Sequence, residues 1–503
     1  MQFGILQIWP TVLIGSEFTM KQSKYAISSL LWMAGAALAQ PATFILDSVV
    51  LPASATKAAQ AAPVPLGTLV LPHFVVLPAL EEDQTLSSGD ASGPALQIGT
   101  ARAVADTSSV ERTRSALQWT ALSNGQQVAA INIQSTGAYG LRAGVLVESL
   151  PDGGQLRIYS QERPDAIVEY SGNKINALLT QNAQAGETGM AANTWWTPDV
   201  GAGDATVEVL LPAGTPTDAL RISVPMVSHI FQNLPLPTDA EWAEMSGTDT
   251  TQAGPAASCN LDATCSDNYQ TERNAVARML YTRSDGLSFL CTGTLLNNSK
   301  GEFIPYFLTA NHCISEQSSA SSLQTRWFYR SNSCNSEVPS RNSVRRNGGA
   351  TLLFATDKTD SALLRLNEMP PAGVTLAGWH ASDVLPIDAP VYGLHHPRGD
   401  LLKYSVAKVA DYTDCRMNTP TTFNCNFGQP NGGFYSVRMS EGTTEGGSSG
   451  SALFRDGRVV GTLYGGSHSC TVTDGNTTYG RFDRFFAEGA SRWLAPPTEP
   501  MRP

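Results

Sequence analysis

All eight cysteines of this 503-residue chain lie in its second half, and none precedes Cys259. An even number of cysteines in an exported protein is typical of a disulfide framework, so we expect disulfides in the carboxy-terminal half. Eight cysteines allow too many pairings for their spacing alone to select one. Metal binding is the competing use of cysteine, but the sequence contains no CxxC pair, and we expect no metal site.

A short amino-terminal segment indicates that the chain is exported. Lys21 and Lys24 precede an apolar stretch that ends in Ala-Leu-Ala at 37–39, which is typical of a secretory signal peptide cleaved after Ala39. Met20 is then the natural start, and residues 1–19 are an upstream extension. The stretch is shorter than the roughly 20 apolar residues of a membrane-spanning helix, although a retained amino-terminal anchor is the alternative. We therefore expect a secreted protein, extracellular or periplasmic, without a membrane partner.

The composition favours a β-rich globular protein and argues against nucleic-acid binding. Apolar residues make up 42% of the chain and charged residues only 15%, and the 44 glycines and 30 prolines predict frequent turns. The formal net charge is −11, and no basic run occurs anywhere. We therefore expect no nucleic-acid partner and no binding to anionic membranes.

The chain divides into four predicted parts. From about Glu111 to Phe231, short alternating runs such as "ATVEVLLP" are separated by turn residues, which predicts a β-sandwich. Residues 235–258 are polar, small and rich in Pro and Gly, which is typical of an exposed linker open to proteolysis. The predicted boundaries are 1–39 for the extension and signal (signal 20–39), 40–234 for a pro-region that is β-rich from about residue 111, 235–258 for the linker, and 259–503 for the cysteine-containing domain.

Three segments of the cysteine-containing half carry side chains suited to nucleophilic catalysis. His312 follows the apolar run of "YFLTANHCI", Asp360 begins "DSALLRL", and Ser449 lies in "GGSSGSALF". A lone histidine is usually structural, and Gly/Ser clusters usually form loops. The order His, Asp, Ser is weak evidence, because triads occur in several orders and are defined by geometry. An α/β-hydrolase fits less well, because its histidine comes last and its elbow has a glycine where Ser451 stands here.

These segments resemble the three catalytic boxes of the trypsin/chymotrypsin clan, and more closely those of the secreted bacterial lysyl endopeptidase family. The segments "SCNLDATC", "CTGTLLNN", "AGWHASD", "HHPRG" and "YGRFDRFF" resemble further boxes of that family in the same order. The resemblance covers roughly Cys259 to Leu494, and the agreement of several independent boxes makes it specific. It implies an all-β, chymotrypsin-like double β-barrel with six antiparallel strands in each barrel, preceded by the β-sandwich-like pro-region. It also implies a monomeric serine endopeptidase that acts on protein or peptide substrates without a cofactor or metal.

The resemblance assigns a role to each of these residues. Ser449 is the nucleophile, His312 takes its proton and passes it to the leaving amine, and Asp360 holds the imidazole in the right tautomer. Gly447 permits the tight turn that aims its own N–H and that of Ser449 at the oxyanion. The disulfides implied are Cys259–Cys470, Cys265–Cys334 and Cys291–Cys313, which leaves Cys415 and Cys425 as a local hairpin bridge.

Five neighbouring side chains have simpler interpretations. Ser448 and Ser451 flank the nucleophile and are expected to be ordinary turn hydroxyls. Asp357 precedes Asp360 by three residues and is expected to be solvated. The pair His395 and His396, in "GLHHPRG", suggests a metal site, but a turn anchored by ring hydrogen bonds is the favoured interpretation.

The predicted substrate pocket departs from both groups of relatives. Trypsin-like enzymes that cut after Lys or Arg have an aspartate where this chain has Thr443, and lysyl endopeptidases have an aspartate where it has Thr477 and a histidine where it has Tyr464. Cleavage after Lys or Arg therefore requires Asp474 to reach the pocket, and an uncharged pocket that accepts apolar or small residues is the alternative. The residues predicted to line the pocket are Thr443, Tyr464, Gly465, Gly466, Asp474 and Thr477.

Activation must also differ from that of the digestive relatives. In those enzymes a new amino terminus pairs with an aspartate just before the nucleophile, but Ser448 occupies that position here. We expect the pro-region to assist folding or block the cleft and then to be removed within the linker, so that the mature species begins between about Ser246 and Ser258. The alternatives are a permanent binding module in place of a propeptide, and a non-catalytic adhesion protein that keeps the barrels.

Overall fold

The computed structural model describes residues 44–55, 70–80, 95–164, 167–234, 256–419 and 422–497. The predicted signal at 20–39 and all of the predicted linker except its last three residues lie outside these ranges. In the described part of the chain strands dominate and the helices are short, which confirms the predicted all-β class. No helix within these ranges combines the length and apolar character needed to cross a membrane.

The amino-terminal half contains twelve of the described strands and three of the described helices. The strands are β1 (Ile45–Leu46), β2 (Val49–Val50), β3 (His73–Leu77), β4 (Leu96–Ala103), β5 (Thr120–Ala121), β6 (Gln127–Ser135), β7 (Gly140–Ser149), β8 (Gln155–Tyr159), β9 (Val168–Ser171), β10 (Thr194–Trp196), β11 (Asp204–Leu211) and β12 (Arg221–Ile230). The helices are α1 (Val110–Ala116), α2 (Gly172–Gln184) and α3 (Gly189–Asn193).

Strands β3 to β12 form the predicted β-sandwich. One sheet has the order β3-β6-β11-β8-β9, and the other contains β10-β7-β12-β4. Alternate side chains of the two sheets, such as Ile131 and Val207 from one and Val145 and Val227 from the other, share one buried core. Burial of these apolar faces drives the two sheets together, as the alternating sequence runs predict.

The carboxy-terminal half contains the remaining described strands and helices. The strands are β13 (Leu261–Asp262), β14 (Val276–Thr282), β15 (Ser288–Leu296), β16 (Tyr306–Ala310), β17 (Gln324–Trp327), β18 (Val344–Arg346), β19 (Ala350–Thr356), β20 (Ser361–Leu366), β21 (Thr375–Leu376), β22 (Gly378–His380), β23 (Pro390–His395), β24 (Lys403–Thr419), β25 (Thr422–Phe427), β26 (Phe434–Glu441), β27 (Ala452–Arg455), β28 (Arg458–Gly466) and β29 (Thr477–Arg481). The helices are α4 (Gln317–Ser321), α5 (Phe482–Phe485) and α6 (Ser491–Leu494).

Two closed antiparallel barrels account for most of these strands. In the first barrel β14, β15, β16, β20 and β19 pair in sequence, while β14 also pairs with β17 and β17 with β18. Because β18 and β19 are consecutive segments that share one position, this barrel has six positions. In the second barrel the pairing runs β23-β24-β26-β29-β28-β27 and returns to β23. The double six-stranded barrel implied by the resemblance is therefore confirmed.

The sandwich and the first barrel share a sheet. Strand β4 pairs antiparallel with β15, with Leu96 opposite Leu290 and Gly99 opposite Ser288. Arg142 of the sandwich is buried, and its guanidinium donates to Thr282 Oγ1 at 2.8 Å and to the Ser322 carbonyl at 2.6 Å. Edge-strand pairing and a buried arginine thus hold the amino-terminal half against the barrel.

The structure contains four disulfides, and all of them lie in the barrel half. Their pairing is the one expected from the resemblance and from the hairpin argument. The described part of the chain contains no free cysteine. The pairs are Cys259–Cys470, Cys265–Cys334, Cys291–Cys313 and Cys415–Cys425.

Candidate active site

His312 and Asp360 are brought together by a pair of adjacent strands. His312 follows the end of β16, Asp360 precedes β20, and the two strands pair so that Ala310 lies opposite Ser361. His312 Nδ1 lies 2.6 Å from Asp360 Oδ2, and the backbone N–H of His312 donates to Oδ1 at 2.9 Å. The Asp360 carboxylate therefore contacts both the ring and the backbone N–H of His312.

The position of Asp360 is unusual in both backbone and environment. Its φ is 46°, a left-handed conformation that non-glycine residues seldom adopt outside functional turns. Burial raises the pKa of this carboxyl, and the hydrogen bonds from His312 oppose the shift by stabilising the carboxylate. Asp357 is exposed, and its described contact with Asp360 is a backbone hydrogen bond of 3.4 Å. The expectation that Asp360 rather than Asp357 faces the histidine agrees with this geometry.

The other ring nitrogen of His312 points into the protein. Nε2 is buried and has no hydrogen-bond partner among the described residues. With Nδ1–H donated to Asp360, the lone pair of Nε2 is available as a base. A buried, unpaired nitrogen of this kind costs free energy unless it serves a function.

The turn that carries Ser449 lies against the histidine strand. The Ser449 carbonyl accepts the Thr292 N–H of β15 at 2.8 Å, and Gly450 has a φ of 82°. A Cβ on Gly450 would lie only 2.7 Å from the backbone nitrogen of Ala310, two residues before His312. Glycine is therefore required at this position, because only glycine lets the turn approach β16 so closely.

The turn before Ser449 also depends on glycine. Gly447 has a φ of 92°, and a Cβ there would lie 3.0 Å from the His396 carbonyl oxygen. The Gly447 carbonyl accepts the Thr292 hydroxyl at 2.8 Å, while its N–H has no acceptor among the described residues. An unpaired backbone N–H of this kind is able to stabilise an oxyanion, as the prediction for Gly447 requires.

The residues predicted to form the substrate pocket are only partly brought together. Thr443 and Thr477 are fully buried, and Gly466 pairs with Thr477 across β28 and β29. Asp474, in contrast, is exposed in the loop that precedes β29 and forms no ion pair with a described residue. Thr477 Oγ1 is buried and has no hydrogen-bond partner among the described atoms. The two buried positions are therefore uncharged.

Sequence reasoning missed two residues of this region. His468 Nδ1 lies 2.8 Å from Thr443 Oγ1, and burial lowers the pKa of His468. Phe423 packs its ring 4.2 Å from the ring of Tyr464, which also lies 5.2 Å from the ring of Phe434 and 6.0 Å from that of His312. His468 follows the predicted pocket residues Gly465 and Gly466 closely and could have been proposed on that basis. Phe423 lies in the hairpin that Cys415 and Cys425 predicted, but none of the quoted boxes includes it.

Histidine and cysteine side chains also cluster near the triad without forming a metal site. Cys291, His312 and Cys313 have their ligand atoms within 4.8 Å of one another. The two sulfurs are joined in a disulfide, and a disulfide sulfur is not the thiolate that metals bind. The adjacent histidines His395 and His396 form the predicted ring hydrogen bonds. His395 Nδ1 lies 2.9 Å from Ser448 Oγ, and His396 Nδ1 lies 2.8 Å from the Asp400 carbonyl oxygen.

Comparisons with known proteins agree over nearly the whole described chain. Residues 253–482 match the family model described as lysyl endopeptidase, C-terminal domain, and residues 76–231 match that of the lysyl endopeptidase N-terminal domain. A lysyl endopeptidase of Pseudomonas aeruginosa is 31% identical over 441 residues, covering 82% of this chain and 86% of the relative. The secreted RxLR effector protein 73 of Plasmopara viticola is 31% identical over 212 residues, covering 40% of this chain and 47% of that protein.

Solved structures give weaker likenesses. The active form of the Rv3671c protease from M. tuberculosis is 15% identical and covers 48% of this chain and 90% of its own, with a TM-score of 0.31. Deg5 is 11% identical and covers 46% of this chain and 94% of its own, also with a TM-score of 0.31. These scores are low, so the fold assignment rests on the strand pairing.

Proposed function

The chain belongs to the lysyl endopeptidase family, and from this premise we propose that it is a secreted serine endopeptidase with the triad Ser449, His312 and Asp360. The observation that carries the proposal is the double contact between His312 and one carboxylate, at 2.6 Å to the ring and 2.9 Å to the backbone N–H. This contact fixes the tautomer in which His312 Nε2 can act as a base. The turn that carries Ser449 lies against the same strand as His312.

Peptide hydrolysis would proceed through an acyl-enzyme. Ser449 Oγ attacks the scissile carbonyl carbon while His312 Nε2 takes the hydroxyl proton, and the N–H groups of Gly447 and Ser449 stabilise the negative oxygen. The C–N bond then breaks, and the imidazolium gives its proton to the leaving amine. In the second half-reaction His312 deprotonates a water molecule, which attacks the ester carbonyl. The bond to Ser449 Oγ then breaks, the imidazolium returns its proton to that oxygen, and the acid product leaves. Asp360 stays ionised and stabilises the imidazolium formed in each half.

We favour an uncharged specificity pocket over one that prefers Lys or Arg. Thr443 and Thr477 occupy the two positions at which basic-specific relatives carry an aspartate, and both are fully buried. The sequence alternative required Asp474 to reach the pocket, but that residue is exposed. A buried carboxylate is what makes a pocket prefer a cation, so we propose cleavage after apolar or small residues.

A peptide-library digest read by mass spectrometry tests this preference. We expect cleavage after apolar or small residues, no effect of Asp474→Asn, and new cleavage after Lys or Arg in Thr477→Asp. Thr478→Asp, one position along the same strand, is the matched control and should create no basic preference. Cleavage by the wild type after Lys or Arg that Asp474→Asn selectively weakens would support the basic alternative instead.

We also propose that the sandwich is a propeptide removed by cleavage in the linker. One loop contacts the chain on both sides of residues 235–255, since Gln232 Nε2 donates to the Arg398 carbonyl at 2.6 Å and the Ala256 N–H donates to Asp400 at 3.1 Å. A cut between these two anchors would leave each end in place. The linker is thus suited to cleavage without disturbance of the barrels.

Labelling with a fluorophosphonate tests the enzyme assignment directly. This reagent phosphonylates only a serine hydroxyl that an adjacent base activates. The processed secreted protein should be labelled on Ser449, and Ser449→Ala should remove the label, whereas Ser451→Ala should keep it. A processed, folded protein that takes no label would favour the non-catalytic binding protein with the same barrels.

A further inference from the structure

His395 is a buried histidine that the proposed mechanism does not use. It is the last residue of β23, it is 0% exposed, and its Nδ1 lies 2.9 Å from the hydroxyl oxygen of Ser448. Ser448 directly precedes the nucleophile and is also fully buried. One buried side-chain contact therefore connects the second barrel to the residue next to Ser449.

Ser448 also forms hydrogen bonds across its own turn, to Glu445. Its oxygen accepts the Glu445 N–H at 3.2 Å, and the Ser448 N–H donates to the Glu445 carbonyl at 2.9 Å. Among the described residues His395 Nδ1 is the one acceptor within reach of the Ser448 hydroxyl proton, so we assign that proton to this contact. Burial lowers the pKa of His395 to about 3, with Lys403 adding to the shift, so the ring is neutral and can accept that proton.

The other nitrogen of the ring has no structural role of its own. His395 Nε2 is buried and has no hydrogen-bond partner among the described residues. An unsatisfied buried N–H costs free energy, and an apolar side chain of similar size would avoid that cost. The benefit of histidine at this position must therefore come from Nδ1 and its bond to Ser448.

The same strand end supports the turn at a second point. The Arg398 N–H, three residues beyond His395, donates to the Gly446 carbonyl at 2.7 Å. The backbone of the Glu445–Ser449 turn is thus held both at Ser448 and at Gly446, on either side of Gly447. These contacts fix the direction in which the N–H groups of Gly447 and Ser449 point.

We propose that His395 is a positioning residue that holds the oxyanion turn in its catalytic conformation through Ser448. This inference rests on the proposed serine endopeptidase function. A buried aspartate at position 448 would need a cationic partner, whereas the Ser448–His395 pair is neutral and complete within the barrel. The bond is formed in a structure whose sandwich is still attached, so the oxyanion turn needs no ammonium group from a newly cut chain end.

The first test measures kcat and KM of processed enzyme, normalised to the fluorophosphonate-labelled fraction. Loss of a single oxyanion donor lowers kcat by roughly 100- to 1000-fold. His395→Leu or Ser448→Ala would misdirect the donors without removing them, so we expect each to lower kcat by roughly 10- to 100-fold. The KM should change by less than about threefold. His395→Asn, which can place an amide near the position of Nδ1, should recover most of the loss. The double variant should be no worse than the more damaging single variant, because both break one contact.

His229→Gln is the matched control for defective folding of the precursor. His229 is a buried sandwich histidine that also bonds a serine, with Nδ1 at 2.7 Å from Ser135 Oγ, and the proposed cleavage separates it from the processed enzyme. It should lower the yield of precursor without changing kcat per labelled site. Unchanged kcat per labelled site in Ser448→Ala would overturn the proposal, and Ser448→Ala decides the matter even if His395→Leu does not fold. If the wild-type protein took no label, the proposed serine endopeptidase function itself would be contradicted.

A second test addresses the new chain end. Carbamylation of the α-amino group of the processed enzyme with cyanate should change kcat by less than about twofold, because the turn is held by a neutral pair. A loss of tenfold or more on carbamylation would show that an ammonium group holds the turn and would overturn the proposal.

Discussion

The barrel half and the sandwich of this chain differ in whether covalent cross-links stabilise them. Both halves bury charged groups, but the barrels also contain four disulfides, whereas the sandwich has no cysteine and is held by non-covalent contacts alone. Arg157 and Glu208 of the sandwich are 1% and 0% exposed and form an ion pair of 2.5 Å, to which Tyr159 adds a hydrogen bond of 3.0 Å. Ion pairs of this kind depend on pH and on both partners, whereas a disulfide persists in an oxidising environment.

This difference agrees with different lifetimes for the two halves. Covalent cross-links suppress local opening, which protects a protease that is exposed to other proteases and to itself. A propeptide needs no such protection, because its task ends when the linker is cut. The contrast supports the view that the barrels persist and that the sandwich is temporary.

The largest expected difference between the two halves is in kcat, because substitution of the triad in the barrels should lower kcat more than any change in the sandwich. Alanine at Ser449, His312 or Asp360 should each lower kcat by roughly 10⁴-fold or more, and combining the changes should add little, because the three residues act as a unit. Secretion of the folded precursor should remain possible in each case. Asp357→Ala is the matched control, and near-full activity in Asp360→Ala would show that Asp357 has the role assigned here to Asp360.

Removal of single disulfides should weaken the barrels by different amounts. Serine at both Cys265 and Cys334, which are separated by 69 residues, should cost about 4 kcal/mol of the free energy of unfolding, and serine at both Cys291 and Cys313, separated by 22 residues, about 3 kcal/mol. Only the second change should also lower kcat, because Cys313 adjoins His312. Urea unfolding in the Ser449→Ala background and activity in the active background check both statements. Equal kcat losses in the two pairs would contradict the local role of Cys291–Cys313.

A single substitution in the sandwich should reduce the yield of processed enzyme but not its kcat per labelled site. Glu208→Gln removes the nearest carboxylate charge from the buried Arg157, while Glu169 stays at 3.5 Å, and should cost about 3 kcal/mol of the free energy of unfolding of the precursor. Glu148→Gln, which breaks an exposed pair with Arg221, is the control and should cost less than about 1 kcal/mol. The readouts are thermal unfolding of the precursor and kcat per labelled site of the processed enzyme. A fall in kcat would show that the sandwich remains part of the working enzyme.

The smallest expected effect is a dependence of sandwich stability on pH. Burial lowers the pKa of His229 from 6.5 to about 4, with Arg102 adding to the shift, so the unfolded chain binds a proton between these values and the folded chain does not. Stability contributed by this group is therefore complete above about pH 6.5 and is lost as the pH falls towards about 4. We expect the Tm of the Ser449→Ala precursor to fall over this range and His229→Gln to reduce the fall by roughly 5 °C. An unchanged pH dependence in His229→Gln would exclude this residue as its cause.

Sequence reasoning reached the parts of the molecule that local pattern determines. Alternating runs predicted the sandwich, whereas the barrels, three of the disulfides and the roles of His312 and Asp360 came from the resemblance of several boxes to a known family. The partners of side chains were harder to predict, because they depend on tertiary distances that no local pattern encodes. Ser448 was expected to be an ordinary turn hydroxyl, yet it bonds His395 from another strand. The partner of Thr443 proved to be His468, although the two residues are 25 positions apart.

One mass measurement tests the central claim that an active serine protease is released from its sandwich. The secreted wild-type protein is treated with a fluorophosphonate, and its intact mass and labelled peptide are determined together. The predicted result is a species that begins between about Ser246 and Ser258, keeps four disulfides and carries one adduct on Ser449. A stable, secreted species that retains the sandwich and takes no adduct would contradict the account.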